Sequence, residues 1–329
     1  MPNSPRDLPV WVLAAASLRV ATPVALLCVL RSEGSSPGRQ GFKMVVTATT
    51  SAGSIGGGIM EHKFVELARQ RLREGNATPL LRPQIHRRKA PTDRSGLMCS
   101  GEQDVLLWPL AMDDFGTISV IINTLQTGTS SYLALSPETG LRLDSTEAQG
   151  TSGPGEAIFY AFQPGPAWHY RERLGFHDHL TIVGGGHVSL ALSRVMARLD
   201  FELTVLDDRL DLPTLATNDA AHHRRFVNYE NVAAEIPAGP HQYVVVMTVG
   251  YRSDAVVLRQ LLGLPYRYLG VMGSAVKVAE LRQGLHEAGF SAAEIARLHG
   301  PIGLPINSQT PDEIAISIAA ELIQWRHRP

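Results

Sequence analysis

Leu180-Thr-Ile-Val183-Gly184-Gly-Gly186-His187-Val-Ser189 is the stretch on which the fold turns. A short apolar strand, Leu180–Val183, runs into three glycines, and an amphipathic helix, Ser189–Leu199, follows. Strand, glycine turn and helix in that order open a βαβ unit. The spacing fits G-x-G-x-x-G with Ser189 in the third glycine's place. Gly184 makes the turn, Gly186 lets backbone approach a pyrophosphate at a helix N-terminus, and Ser189 is small enough to keep helix and strand close. An acid belongs about 20 positions on. Asp207 supplies it at the end of the strand Glu202–Leu206, where a ribose hydroxyl would be held and a 2′-phosphate disfavoured. His187, just after the glycines, is placed to face the ligand crevice.

Further along, Tyr243–Thr248 and Tyr268–Met272 read as strands, and the alternation predicts a parallel sheet with crossover helices, a Rossmann-type domain. A second junction, Leu269-Gly-Val-Met-Gly273-Ser274, leads into the helix Ala275–Leu285. Lys277 falls in that helix's first turn, where the dipole disfavours a cation. An anionic ligand near Ser274 would resolve the conflict; a solvated lysine is the alternative. Thr310-Pro311-Asp-Glu313 is a capping box with proline at the first helical position, and Ile314, Ile318 and Leu322 repeat behind it. The loop Pro301–Pro305 is oddly apolar and is expected to pack against a ligand, the other domain or a second subunit.

The composition break at Gln163-Pro-Gly-Pro166 divides the chain into residues 1–165 and 166–329. In the first part the pattern predicts a helix over Val10–Leu18, strands at Pro23–Leu30 and Phe42–Ala48, a helix over Ile59–Glu74 and a strand at Asp104–Trp108. Residues 117–135 and 141–163 read as strands and turns, with Thr146–Gly155 a loop. Gly56-Gly57-Gly58 ahead of the Ile59 helix could present free N–H groups as an anion-binding nest. Glu61 suits the helix dipole there but would repel a phosphate, so a purely structural turn is equally open. Cys99 sits in a loop-like setting and is either a soft metal or sulfur contact or a small buried residue. His177-Asp178-His179 suggests a metal, but three adjacent residues on a strand cannot converge on one ion.

The remaining composition narrows the function classes. The 329 residues carry a formal net charge of −1, so no basic field points to nucleic acid. Two cysteines, with Cys28 inside the apolar run Val24–Leu30, make no disulfide framework and no Cys-x-x-Cys knuckle. Val10–Leu18 is too short for a bilayer and lacks a basic flank, because Arg6 and Asp7 cancel. No other run approaches a membrane span, and a cytoplasmic protein is expected.

Together these motifs resemble the XdhC/CoxI family of xanthine dehydrogenase accessory factors. The matching pieces run in family order across nearly the whole chain. They are Gly34-Ser-Ser-Pro37 with Gly41-Phe-Lys43-Met44, Gly53-Ser-Ile-Gly56-Gly57-Gly58-Ile-Met-Glu61, Cys99-Ser-Gly101, Val183-Gly184-Gly-Gly186-His187-Val188, Val205-Leu-Asp207-Asp208-Arg209, Leu269-Gly-Val-Met-Gly273-Ser274, and Pro301-Ile-Gly303-Leu304 with Thr310–Glu321. The resemblance implies an N-terminal α/β XdhC/CoxI domain followed by a Rossmann-like domain. It also implies a chaperone that binds molybdenum cofactor (molybdopterin), helps its sulfuration and delivers it to an apo molybdenum hydroxylase, with a cysteine desulfurase as a further partner. The family usually has Cys-Gly-Gly at Cys99-Ser100-Gly101, and often a histidine after the threonine of Thr248-Val249.

An NAD-dependent oxidoreductase is the main rival, with NAD bound at Gly184, Gly186 and Asp207. It would need a proton donor beside the nicotinamide, yet none of the eight tyrosines has lysine four residues on. A pterin or nucleotide hydrolase or transferase would need a metal or paired carboxylates, and the pair beside the glycine motif is Asp207-Asp208. A dinucleotide-binding redox sensor is the third reading. The cofactor chaperone, expected as a homodimer, is the preferred one, with Gly184, Gly186, His187, Asp207, Gly273, Ser274, Lys277, Gly56, Gly57, Gly58 and Cys99 as candidate contacts.

Overall fold

A computed structural model describes residues 4–85, 101–144 and 159–328. Its first unit, Ser4–Gly175, runs α1 (Leu8–Arg19), β1 (Val24–Gly34), β2 (Lys43–Thr47), β3 (Ser51–Gly53), α2 (Gly58–Arg73), β4 (Leu80–Ile85), β5 (Gly101–Leu110), α3 (Phe115–Thr127), β6 (Tyr132–Ser136), β7 (Gly140–Asp144), β8 (Tyr160–Gln163) and β9 (His169–Arg173). One antiparallel sheet is ordered β3-β2-β1-β5-β4 and a second β7-β6-β9-β8. The unbroken apolar run in β1 follows from burial on both faces. Leu26, Cys28 and Leu30 join Trp11, Ile118, Leu133 and Tyr170, while Ala25, Leu27 and Val29 join Phe64, Val65 and Ala68 of α2.

Two expectations change here. Residues 117–135, read as strands and turns, begin with α3. Ile118, Val120, Ile121 and Ile122 favour a strand by β-branching, but Ile118, Ile121 and Leu125 recur at helical spacing and are buried together. Gly128, at φ 69, then ends the helix in a left-handed cap. Burial of that face outweighs a propensity deficit of about 0.5 kcal/mol per residue. The break at Gln163–Pro166 is the turn from β8 to β9, not a domain boundary, because β9 bonds to both β6 and β8. Thr146–Gly155 lies outside the described residues.

The second unit, from Phe176 onward, runs β10 (Asp178–Val183), α4 (His187–Met196), β11 (Phe201–Asp207), α5 (Pro213–Ala216), β12 (His223–Phe226), β13 (Gly239–Val246), α6 (Tyr251–Leu261), β14 (Tyr266–Val271), α7 (Ala275–Glu287), α8 (Ala292–Ala296), β15 (Leu298–His299) and α9 (Pro311–Arg326). Its strands pair in parallel in the order β12-β11-β10-β13-β14-β15. This is the Rossmann order, with the chain reversing direction across the sheet between β10 and β13, the place where such folds open a ligand crevice. The expected capping box starts α9: Thr310 Oγ1 accepts from Glu313 N at 3.3 Å and Glu313 Oε2 from Thr310 N at 3.0 Å.

The apolar loop Pro301–Pro305 packs on its own unit. Ile302 N donates to Val271 O at 3.2 Å, and Leu304 exchanges bonds with Ser317 at 3.2 and 2.7 Å. A Cβ on Gly270 would lie 2.5 Å from Ile302 Cγ2, so glycine makes room for the loop. Beside it, His299 stacks on Tyr268 at 4.7 Å and meets the edge of Trp325 at 4.4 Å. Burial, with Arg328 and Arg282 nearby, pushes its imidazole down from 6.5 to about 4. The unfolded chain therefore takes up a proton near pH 6.5 that the folded chain refuses until about pH 4, and stability falls as pH drops through that window. His299→Gln, which cannot titrate, is expected to flatten the pH dependence of the thermal midpoint between pH 6.5 and 4. An unchanged slope would show that His299 does not cause it.

No helix among the described residues is long and apolar enough to cross a membrane.

Candidate functional site

In the first unit three segments meet backbone against backbone. A Cβ on Gly38 would lie 2.2 Å from Ile55 O, one on Gly56 2.3 Å from Gly38 N, and one on Gly101 2.5 Å from Ser36 N. These glycines are set by close approach, since a side chain at any of them would strike main chain. A buried amide relay supports the junction: Gly38 N donates to Gln103 Oε1 at 3.1 Å, and Gln103 Nε2 to Gln84 Oε1 at 3.1 Å. The loop Gly34–Gly38, the turn Gly53–Gly58 and the start of β5 thus form one assembly. Gln84 and Gln103 escaped sequence reasoning because a single glutamine on a strand has no signature. Cys99 lies outside the described residues, two positions before Gly101 in the sequence.

The nest at Gly56-Gly57-Gly58 is filled from within the chain. Glu61 Oε2 accepts from Gly57 N at 2.9 Å, Ile55 N at 2.9 Å and Ser54 Oγ at 2.6 Å. Burial would raise the Glu61 carboxyl, but these hydrogen bonds outweigh it and hold it below the ordinary range. The phosphate reading of this nest is corrected: its anion is Glu61. Gly57 and Gly58 keep φ of 73 and 68 and face open space.

The second unit builds the glycine turn as expected. Gly184, at φ 111, approaches β13 so closely that a Cβ would sit 2.3 Å from Met247 O. Gly186 faces open space as the N-cap of α4, with no side-chain cap, and His187 is exposed beside it. Asp207 differs from expectation. It is fully buried. Its oxygens accept from Gly185 N at 2.6 Å, Arg209 N at 2.9 Å, Arg209 Nε at 2.8 Å and Arg209 Nη2 at 2.7 Å. Burial would raise this carboxyl too, but Arg209 and Gly185 hold it low.

The second junction is also closed on itself. Ser274 Oγ accepts from Lys277 N at 3.2 Å and caps α7. Lys277 turns its ammonium onto buried Asp254 and donates to Met272 O at 3.1 Å, with its stem against Gly273. Asp254 in turn accepts from Thr248 N at 3.2 Å and Thr248 Oγ1 at 2.5 Å. The cation in the first turn is therefore balanced by Asp254, which corrects both the anion beside Ser274 and the solvated lysine. Val249, at the family's histidine position, is 74% exposed.

At the other end of the sheet, His177-Asp178-His179 splits apart. Asp178 bonds His241 at 3.2 Å and Arg326 at 2.7 Å, while His179 bonds Glu202 at 2.6 Å. His223 reaches the second oxygen of Glu202 at 3.0 Å. The His179 bond, with that of His223, holds the Glu202 carboxyl down at about 2 despite partial burial. Among the described residues no group of three His, Cys, Asp or Glu could hold a metal ion.

Residues 180–322 match the family described as the XdhC Rossmann domain, and residues 17–82 match the XdhC and CoxI family. The uncharacterized protein YqeB of Escherichia coli K12 is 27% identical over 310 residues, covering 93% of this chain and 44% of that one. A Bacillus subtilis 168 protein, named as a probable subunit of xanthine dehydrogenase, is 29% identical over 157 residues, covering 48% of this chain and 46% of that one. The chain spans less than half the length of either relative. A crystal structure described as a xanthine dehydrogenase from Bacillus halodurans shares the fold, with a TM-score of 0.70 over 97% of this chain and 96% of that chain at 22% identity.

Proposed function

The chain belongs to the XdhC/CoxI family, and from that premise we propose that it is an accessory protein of a xanthine dehydrogenase-type molybdenum hydroxylase. In this reading it binds molybdenum cofactor as cargo, assists its sulfuration with sulfur from a cysteine desulfurase, and passes it to the apo-enzyme. The observation that carries the reading is the glycine-locked assembly of Gly34–Gly38, Gly53–Gly58 and Gly101. Backbone fixed by backbone offers contacts that need no reordering when a ligand arrives, which spares binding the cost of immobilising side chains. Cys99, adjoining it in sequence, would supply a soft contact to the metal or its sulfur. Taken by itself, the second unit offers its own anion site, the open N-terminus of α4 at Gly186, which suits a phosphate group. The NAD-dependent alternative is weakened by Asp207, whose carboxylate is already engaged.

Anaerobic titration with molybdopterin cofactor tests the proposal. A micromolar or tighter dissociation constant is expected, at least ten-fold weaker in Cys99→Ala or in Gly186→Asp, the weakened variant showing which unit holds the cofactor. Absence of cofactor binding by the folded wild-type chain would remove the carrier role.

A further inference from the structure

Asp207 occupies the position from which a Rossmann carboxylate reads a ribose diol, yet it has no capacity left to do so. An ionised carboxylate offers about four lone-pair sites. Here four N–H donors fill them, from Gly185 N, Arg209 N, Arg209 Nε and Arg209 Nη2, all between 2.6 and 2.9 Å. The side chain of Asp207 is 0% exposed, while that of Arg209 is 41% exposed and lies over it. The exposed group of this pair is therefore the Arg209 guanidinium and not the carboxylate. Of its five N–H donors two are engaged by Asp207, and the remainder can only donate. Asp208 lies near Arg209 as well and adds to the hold on its charge.

The neighbouring segment reinforces the closure. Thr214 Oγ1 donates to Gly185 O at 2.5 Å. A Cβ on Gly185 would meet Leu212 Cδ2 at 3.0 Å and Leu215 Cβ at 3.3 Å. Residues 212–215 therefore cover the glycine loop on the Asp207 side, while Gly186 and the start of α4 stay open.

We infer that Arg209 closes the crevice of the second unit to ribose diols, a specificity-determining contact that excludes NAD and leaves the phosphate-binding end at Gly186 as the open part. The same contact disfavours any cargo whose nucleoside half would have to seat its ribose at Asp207. The inference rests on the Rossmann geometry and goes beyond the carrier role proposed above.

Calorimetric titration of the full chain with NAD tests it. Arg209→Ser removes the two-pronged grip and frees acceptor sites on Asp207, and is expected to tighten NAD binding at least ten-fold over wild type. Adding Asp207→Asn to Arg209→Ser is expected to abolish the gain, because the amide cannot accept both ribose hydroxyls. A gain below ten-fold in the single variant, confirmed as folded by its melting curve, overturns the inference. So does a gain that survives in the double variant, which would place the new contact elsewhere. No molybdopterin enters the experiment, so its failure would restore the NAD-dependent alternative while leaving cofactor binding itself to the anaerobic titration above.

Discussion

Replacing Lys43 by methionine is expected to destabilise the first unit by about 3–5 kcal/mol, the scale for removing one partner of a buried ion pair. The Lys43 side chain is 1% exposed. Its ammonium pairs with Asp7 at 2.7 Å and with Glu172, and donates to Gly41 O at 2.8 Å. Burial alone would favour a neutral amine, but the two carboxylates outweigh it and push the Lys43 ammonium up. Burial raises the Glu172 carboxyl, which also accepts from Tyr170 at 2.5 Å. The cluster joins the start of α1, strand β2 of one sheet and strand β9 of the other, so it pins three layers at one point. Methionine matches the lysine stem in length and leaves the packing in place. What remains is two carboxylates in the interior with no cation. Urea unfolding reports this through Trp11, Trp108 and Trp168, three of the four tryptophans, which all lie in this unit. Glu172→Gln in the Lys43→Met background is expected to restore part of the loss, since a neutral amide needs no counter-charge. Equal urea midpoints for Lys43→Met and wild type would mean that the cluster holds nothing together.

The second unit was legible in the sequence because its strands leave a strong local trace. β10, β13 and β14 are buried on both faces and bounded by glycines, so strand, turn and helix alternate in plain view. β12 left no trace. All four of its residues, His223–Phe226, are exposed at the sheet edge, where burial imposes no pattern. In the first unit α3 was mistaken for strand because its β-branched residues argue one way and their spacing the other. The turn at Gln163–Pro166 was mistaken for a boundary because proline and glycine mark any reversal of the chain, whether inside a sheet or between domains.

The candidate site was legible only as far as single positions. Glycines were found because their demands are local, a positive φ or a neighbour's backbone in the way. The partners of charged groups were not. Asp207 was read as facing a ribose, although the group that fills it, Arg209, lies two residues along. Lys277 reads either as meeting an anion or as solvated, whereas the carboxylate that answers it, Asp254, sits on a different helix and is brought near only by the packing of α6 on α7. Glu61 reads both as a dipole partner and as an obstacle to phosphate, and the distances bear out both, because its oxygen sits at the α2 N-terminus and occupies the nest. Pairing of charges is a tertiary property, and side-chain identity along the chain does not contain it.

Gly56→Ala and Gly58→Ala should separate the two demands placed on glycine in the first-unit assembly. Both residues have positive φ, 123 and 68. An alanine at Gly58 meets nothing within 4 Å, so its cost is the conformational one, about 1–2 kcal/mol. At Gly56 the new methyl would stand 2.3 Å from Gly38 N and 2.5 Å from Pro37 C. Those are main-chain atoms and cannot swing aside like the end of a side chain. The Pro37–Gly38 loop must shift, adding an overpacking cost of about 1–3 kcal/mol. Its movement also breaks the buried bond from Gly38 N to Gln103, whose loss is worth about 1 kcal/mol more. Gly56→Ala is therefore expected to cost about 3–6 kcal/mol in all, and to melt well below Gly58→Ala. The same pair bears on function, because Gly56→Ala distorts the assembly proposed to carry the cofactor while Gly58→Ala leaves its interlocking contacts alone. Cofactor titration at a temperature where both variants are folded should then show weaker binding for Gly56→Ala than for Gly58→Ala. Equal melting of the two variants would show that the loops are not locked through Gly56. Unequal melting with equal cofactor affinity would keep the lock as a structural device and move the cargo away from it.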